Sequence, residues 1–183
     1  MFDPTVFDNV KVVLEGEVYD RDLTGAIQVA AREDLVDLAS LSRTFRIAFR
    51  TKPAPSRYTA WVELSSSLRN IAAEILEQPK AEAGCSLTVS FAATLAEARG
   101  AEETNPQLVC AQADEAVKAV WGGQYQLEQQ VTQTYGFGKE TVSHTVRLLF
   151  GRTFTEAVID DLPELISHTI KTLEQLSLPT KEE

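Results

Sequence analysis

The chain alternates apolar and polar positions over several short stretches, and each such stretch predicts a half-buried strand. Val10, Val12, Leu14 and Val18 fall on one face of the first, opposite Lys11, Glu15, Glu17 and Tyr19. Phe45, Ile47 and Phe49 define a second, and Tyr58, Ala60, Val62 and Leu64 a third. A fourth runs through Cys85, Leu87, Val89, Phe91, Ala93 and Leu95. A hairpin follows: Tyr125, Leu127, Val131 and Tyr135 lead into Gly136-Phe137-Gly138-Lys139, and Val142, His144, Val146, Leu148 and Phe150 return.

Helical spacing separates these strands. Leu68, Ile71, Ala72 and Ile75 predict a helix capped by Ser65 or Ser66 and ended before Pro79. Asn105-Pro106 reads as a cap and first turn, and Leu108, Ala113, Ala116, Val117 and Val120 carry that helix to Gly122-Gly123. The last element is a long helix with Val158, Ile159, Leu162, Leu165, Ile166, Ile170 and Leu173 in one stripe. Thr153 with Glu156 and Asp161 with Glu164 suggest capping boxes, and Pro163 suggests a restart. Residues 23–40 fit two patterns. Leu23, Ile27, Ala31, Leu35 and Leu38 favour a helix, whereas Ile27 to Ala31 also fits a short strand. Lys52 to Ser56 and Ala96 to Thr104 read as loops.

The expected fold is therefore α+β: a mainly antiparallel sheet of five to seven strands, with three or four helices on one face and a long C-terminal helix. Residues 1–178 form one domain in this reading, and 179–183 a frayed tail. Residues 42–77 and 124–176 both read strand, loop, strand, helix, without residue-level similarity.

Composition narrows the classes of function. The net charge is −10, from 17 basic and 27 acidic residues, which disfavours nucleic acid and anionic membranes as partners. No apolar run is long enough to cross a membrane, and Met1-Phe2-Asp3-Pro4 does not open a secretion signal. Cys85 and Cys110 are the only cysteines and lie in different apolar runs. They suit small core residues in a reducing, cytoplasmic setting better than a disulfide or metal site.

Against that acidic background, Arg43, Arg46, Arg50, Lys52 and Arg57 lie in a stretch free of carboxylates, from Leu38 to Val62. Arg46 and Arg50 share the solvent side of one strand and form a candidate contact for an acidic ligand or protein partner. Pairing with Glu15 and Glu17 across strands is the competing expectation. Tyr135 and Phe137, beside the glycine turn, form a second small candidate contact. That turn lacks the spacing of a phosphate-binding loop and joins two strands. His144, on an apolar strand face, reads as a hydrogen-bonded core residue, and His168 as solvated. Trp61 and Trp121 read as core or helix-end residues.

Asp20-Arg21-Asp22-Leu23-Thr24 matches D-x-D-x-T and so resembles the first signature of the haloacid-dehalogenase phosphatases. The resemblance covers about five residues. It implies Asp20 as nucleophile, Asp22 as acid/base and Mg²⁺ at the phosphate, with Asp160-Asp161 as the late acidic pair. Such a motif follows a strongly apolar parallel strand, whereas Leu14 to Tyr19 contains two glutamates. The leading expectation is thus a non-enzymatic binding, regulatory or assembly protein needing no cofactor or metal. The alternatives are a Mg²⁺-dependent phosphatase or phosphotransferase using Asp20 and Asp22, and a small-molecule binder with His144 in a pocket between sheet and C-terminal helix.

Overall fold

In the computed structural model the described residues are 5–52, 56–77, 83–95, 105–123, 125–136 and 139–177. The tail from 179, the loops at 53–55 and 96–104, Pro79 and Phe137 lie outside them. Helix α1 spans Val6–Leu23, followed by strands β1 (Ile27–Asp37), β2 (Ser42–Thr51) and β3 (Thr59–Ser66). Helix α2 is Leu68–Ile75, β4 is Ser86–Leu95 and α3 is Pro106–Trp121. The hairpin strands β5 (Gln126–Gly136) and β6 (Lys139–Leu149) come next, then a 3-10 segment, Glu156–Asp161, and α4, Leu162–Leu176. All six strands belong to one antiparallel sheet ordered β1-β2-β3-β4-β6-β5.

The sheet is α+β and antiparallel as the alternation required, but its first two elements correct the sequence reading. Residues 10–19 are helical. Phe7, Val10, Leu14 and Val18 are buried at helical spacing, while Val12, which the strand reading placed with them, is 64% exposed. Steps of four residues satisfy both a two-residue and a 3.6-residue period, so Val10, Leu14 and Val18 could not separate the two. Thr5 caps α1 by accepting from the Asp8 amide.

Residues 27–37 are a strand, not the favoured helix, and Leu23, Leu35 and Leu38 of the supposed stripe are exposed. The register explains the misleading pattern. Val29 pairs with Phe49 but Ala31 with Ala48, so a bulge at Ala30 reverses which residues face the helices. Before the bulge, Ile27 and Val29 face the core. After it, Arg32 and Asp34 take the helix side, where Arg32 pairs with Glu15 and Asp34 with Lys11 at 2.6 Å. Arg32 and Lys11 also lie over the Phe45 ring, 5.3 and 5.8 Å from its centroid.

The core lies between the helices and one sheet face. Phe45, Ile47 and Phe49 of β2, Ala60, Val62 and Leu64 of β3, Val89 and Phe91 of β4, and Val146 and Leu148 of β6 are fully buried there. They meet Val10 and Leu14 of α1, Val117 of α3, and Leu162, Ile166 and Leu173 of α4. Three cap assignments change. Thr155, not Thr153, precedes the 3-10 segment at Glu156, without a side-chain cap bond. Ser67, not Ser65 or Ser66, caps α2 through a reciprocal bond with Asn70. Asp161 precedes α4 without a side-chain cap bond, and Pro163 stands in its first turn. Asn105 and Pro106 open α3 as the sequence indicates. No helix among the described residues is long and apolar enough to cross a membrane.

Gly84 has φ 129° and lies against the isolated bridge between Cys85 and Phe154; a Cβ there would stand 2.3 Å from the Phe154 carbonyl oxygen. Gly84→Ala is expected to lower unfolding free energy by about 2 kcal/mol or more. Gly16, exposed within α1 with nothing inside 4 Å of an added Cβ, gives the opposite sign. Gly16→Ala is expected to stabilise by about 0.5–1 kcal/mol. Urea midpoints of the two variants check the pair of signs.

Candidate functional site

The face of the sheet away from the helices is where the polar partners of the alternation collect. Cross-strand register builds one row as Glu33, Arg46, Glu63 and Thr88. The next row reads Ala31, Ala48, Trp61, Ser90, Arg147 and Glu128. Trp61 is thus an open-face residue, half-buried between small neighbours, rather than a core residue. The alternation itself holds that signal, because Trp61 has the parity of Thr59 and Glu63.

Arg46 and Arg50 do share this face, but their surroundings differ. Arg46 donates from Nε to Glu63 at 2.7 Å and sits 3.5 Å from Glu33, so two carboxylates neutralise it. Arg50 donates from Nε to the Thr59 hydroxyl at 2.7 Å and has no carboxylate partner among the described residues. The basic stretch is partly dissolved by folding. Arg43 forms a two-pronged pair with Asp8, at 2.9 and 3.0 Å, and Lys52 reaches Asp22 at 3.2 Å. Glu15 and Glu17, the partners expected for Arg46 and Arg50, instead pair with Arg32 and Arg21. Burial alone would raise the Asp8 pKa, but hydrogen bonds from Arg43 and Thr5, with the Arg43 charge, hold it below its ordinary value.

Asp20, Asp22 and Thr24 lie at the C-terminal end of α1, not after a strand. Thr24 is the C-cap, and its hydroxyl donates to the Arg21 carbonyl at 3.0 Å. A helix C-terminus presents carbonyl oxygens and the negative end of the dipole, which repels a phosphate. Asp160 and Asp161 close the 3-10 segment. Among the described residues, no three His, Cys, Asp or Glu side chains gather to hold a metal ion.

A connected polar group lies inside, under α3. His144 of β6 is fully buried and meets β5, α3 and the residue that precedes β3. Gln129 of β5 donates from Nε2 to the Cys110 carbonyl at 2.9 Å, which turns its Oε1 toward His144 Nε2, 3.0 Å away. That oxygen can only accept, so Nε2 carries the proton and Nδ1 accepts from the Tyr58 hydroxyl at 2.9 Å. The Cys110 thiol is 4.0 Å from Nε2, but that N–H already has its acceptor. Burial lowers the His144 pKa, and the nearby Arg57 charge adds to this. Burial raises Cys110 and pushes Cys85 up to about 12. These thiols are therefore protonated packing groups rather than nucleophiles. The sequence indicated a hydrogen-bonded core histidine, but its partners come from 15, 34 and 86 residues away and left no local signal.

His168 does not stand free in water. It is partly buried, its ring 5.4 Å from that of Trp121. Tyr135 lies far along β5 from these groups and is 73% exposed; Phe137 is outside the described residues.

Neutral His144 yields a pH dependence of stability. Its folded pKa lies below the ordinary value near 6.5, so its contribution is complete above that value and is lost as pH falls through and below it. The urea midpoint is expected to drop between about pH 7.5 and about pH 5.5, with a shallower drop in His144→Gln. Equal slopes in the two proteins would contradict the assignment. Comparison of the chain with protein-family models, with curated proteins and with solved structures gave no match, so the chemistry of these residues alone carries the functional reading.

Proposed function

We propose that this chain is a non-enzymatic, cytoplasmic binding protein that takes an acidic segment of a protein partner across the open face of its sheet. One observation carries the reading: Arg50 points from that face with its terminal guanidinium nitrogens unmatched by any carboxylate among the described residues. Trp61 lies diagonally across from it on β3, about 7–8 Å away along the backbone grid. Ala48 and Ser90 are its small partners on either side, and its indole is only half-buried. A planar aromatic beside a guanidinium suits an extended carboxylate-bearing chain, with apolar contact on the ring and a forked bond to the acid.

The buried polar groups support a binding role over catalysis. His144 is neutral with both nitrogens engaged, and the thiols are protonated. Phosphate chemistry at Asp20 and Asp22 has less support, since Asp22 is held by Lys52 at a helix C-terminus. A ligand seated on His144 would have to displace Tyr58 or Gln129.

A titration of amide chemical shifts with an oligo-glutamate peptide tests this. Shifts are expected to cluster on the outward residues of β2 and β3, and Arg50→Ala is expected to weaken binding by about tenfold. Saturating peptide that moves no β2 or β3 amide would refute the proposal.

A further inference from the structure

The two edges of the sheet are built differently. The β1 edge is interrupted by the bulge at Ala30 and carries Arg32, Glu33 and Asp34 in succession, with ion pairs to α1 on one face and Arg46 on the other. Bulges and charges are what keep an edge strand from pairing with another chain. The β5 edge has no bulge and almost no charge. All 11 residues from Gln126 to Gly136 pair with β6 in unbroken register, and the segment contains no proline, lysine or arginine. Glu128 is its single charge, and Arg147 lies beside it at 4.0 Å. No strand among the described residues takes up its outer side, where alternate residues present their N–H and C=O groups.

We infer that β5 pairs antiparallel with β5 of a second copy of this chain, about a two-fold axis at Val131, giving a twelve-stranded sheet. The sequence of the strand is self-complementary about that point. Val131 faces Val131 of the partner subunit on the helix side, Gln129 faces Gln133, and Leu127 faces Tyr135. Tyr135 is the most exposed aromatic described, and this register sets it against an apolar residue, Leu127. On the open side Gln130 faces Thr132 and Glu128 faces Thr134, so no like charges meet. The two Glu128 side chains stand about 20 Å apart, six residues along the strand. A strand with a single charge away from its centre favours its own copy over a strongly charged partner. The net charge of −10 per chain opposes the encounter at long range, so added salt should strengthen the dimer.

Sedimentation of the full chain at about 100 µM tests the inference, with a dimer expected that tightens as sodium chloride is raised. Gln130→Lys with Thr132→Lys sets lysine against lysine twice across the axis, and should weaken the dimer by at least about tenfold. Gln130→Lys with Thr132→Glu sets opposite charges there, and should keep it. Both residues are exposed and carry similar changes, so thermal unfolding confirms that each variant folds. Slow hydrogen exchange at alternate β5 amides in the dimer, lost in the double-lysine variant, locates the contact. A chain that stays monomeric in high salt overturns the inference and leaves the edge to a strand of a different protein. Two double variants that dissociate alike also overturn it.

Discussion

One-sided burial of the sheet governs this molecule. Along β2, β3, β4 and β6, alternate residues disappear beneath α1, α3 and α4, and Phe45, Phe49, Leu64, Phe91 and Leu148 retain no exposed surface. A side-chain period of two ties each buried residue to an outward neighbour, so a covered face creates an uncovered one. The open face is thus no decoration added to the core. Arg46, Trp61 and Ser90 stand where they do because Ile47, Val62 and Val89 must stand behind them.

Electrostatics finishes what packing begins. The acidic chain places its cations where they hold elements together: Arg43 fastens β2 to α1 through Asp8, and Lys52 ties the end of β2 to the end of α1 through Asp22. Arg21 bonds the Pro163 carbonyl at the start of α4. Exposed pairs of this kind contribute little each. Their larger effect is to fix which positive charges remain available, and Arg50 stands out because its neighbours are already matched. In the interior, the chain from Tyr58 through His144 and Gln129 to Cys110 links the residue before β3 to β6, β5 and α3 by bonds whose donors and acceptors all agree. A network satisfied at each step specifies one arrangement of those elements.

Strands β2 to β6, α2 to α4 and the antiparallel class were legible because their periods are local and uninterrupted. Two failures had distinct physical causes. In α1, apolar residues four apart satisfied two periods at once, and only the exposure of Val12 separates them. In β1, the bulge broke the alternation at its midpoint and left Ile27, Ala31 and Leu35 at a spacing that resembles a helix. The candidate surface was legible in part. Arg46 and Arg50 were placed on one face, but their partners, Glu33, Glu63 and Thr59, come from strands whose register no single stretch encodes. Trp61 was misjudged through its residue type, although its parity pointed outward.

The bulge at Ala30 also makes β1 a strand in two phases. Its first half belongs to the apolar interior through Ile27 and Val29, and its second half turns an ionic side toward α1 through Arg32 and Asp34. One extra residue does the work of the phase change, so this strand tolerates altered letters better than altered length. Inserting a single residue after Ala31 would transpose every side chain beyond it, sending Arg32 and Asp34 to the open face and Glu33 over Phe45. The edge would lose its ionic seam with α1 without losing any of the residues that form it.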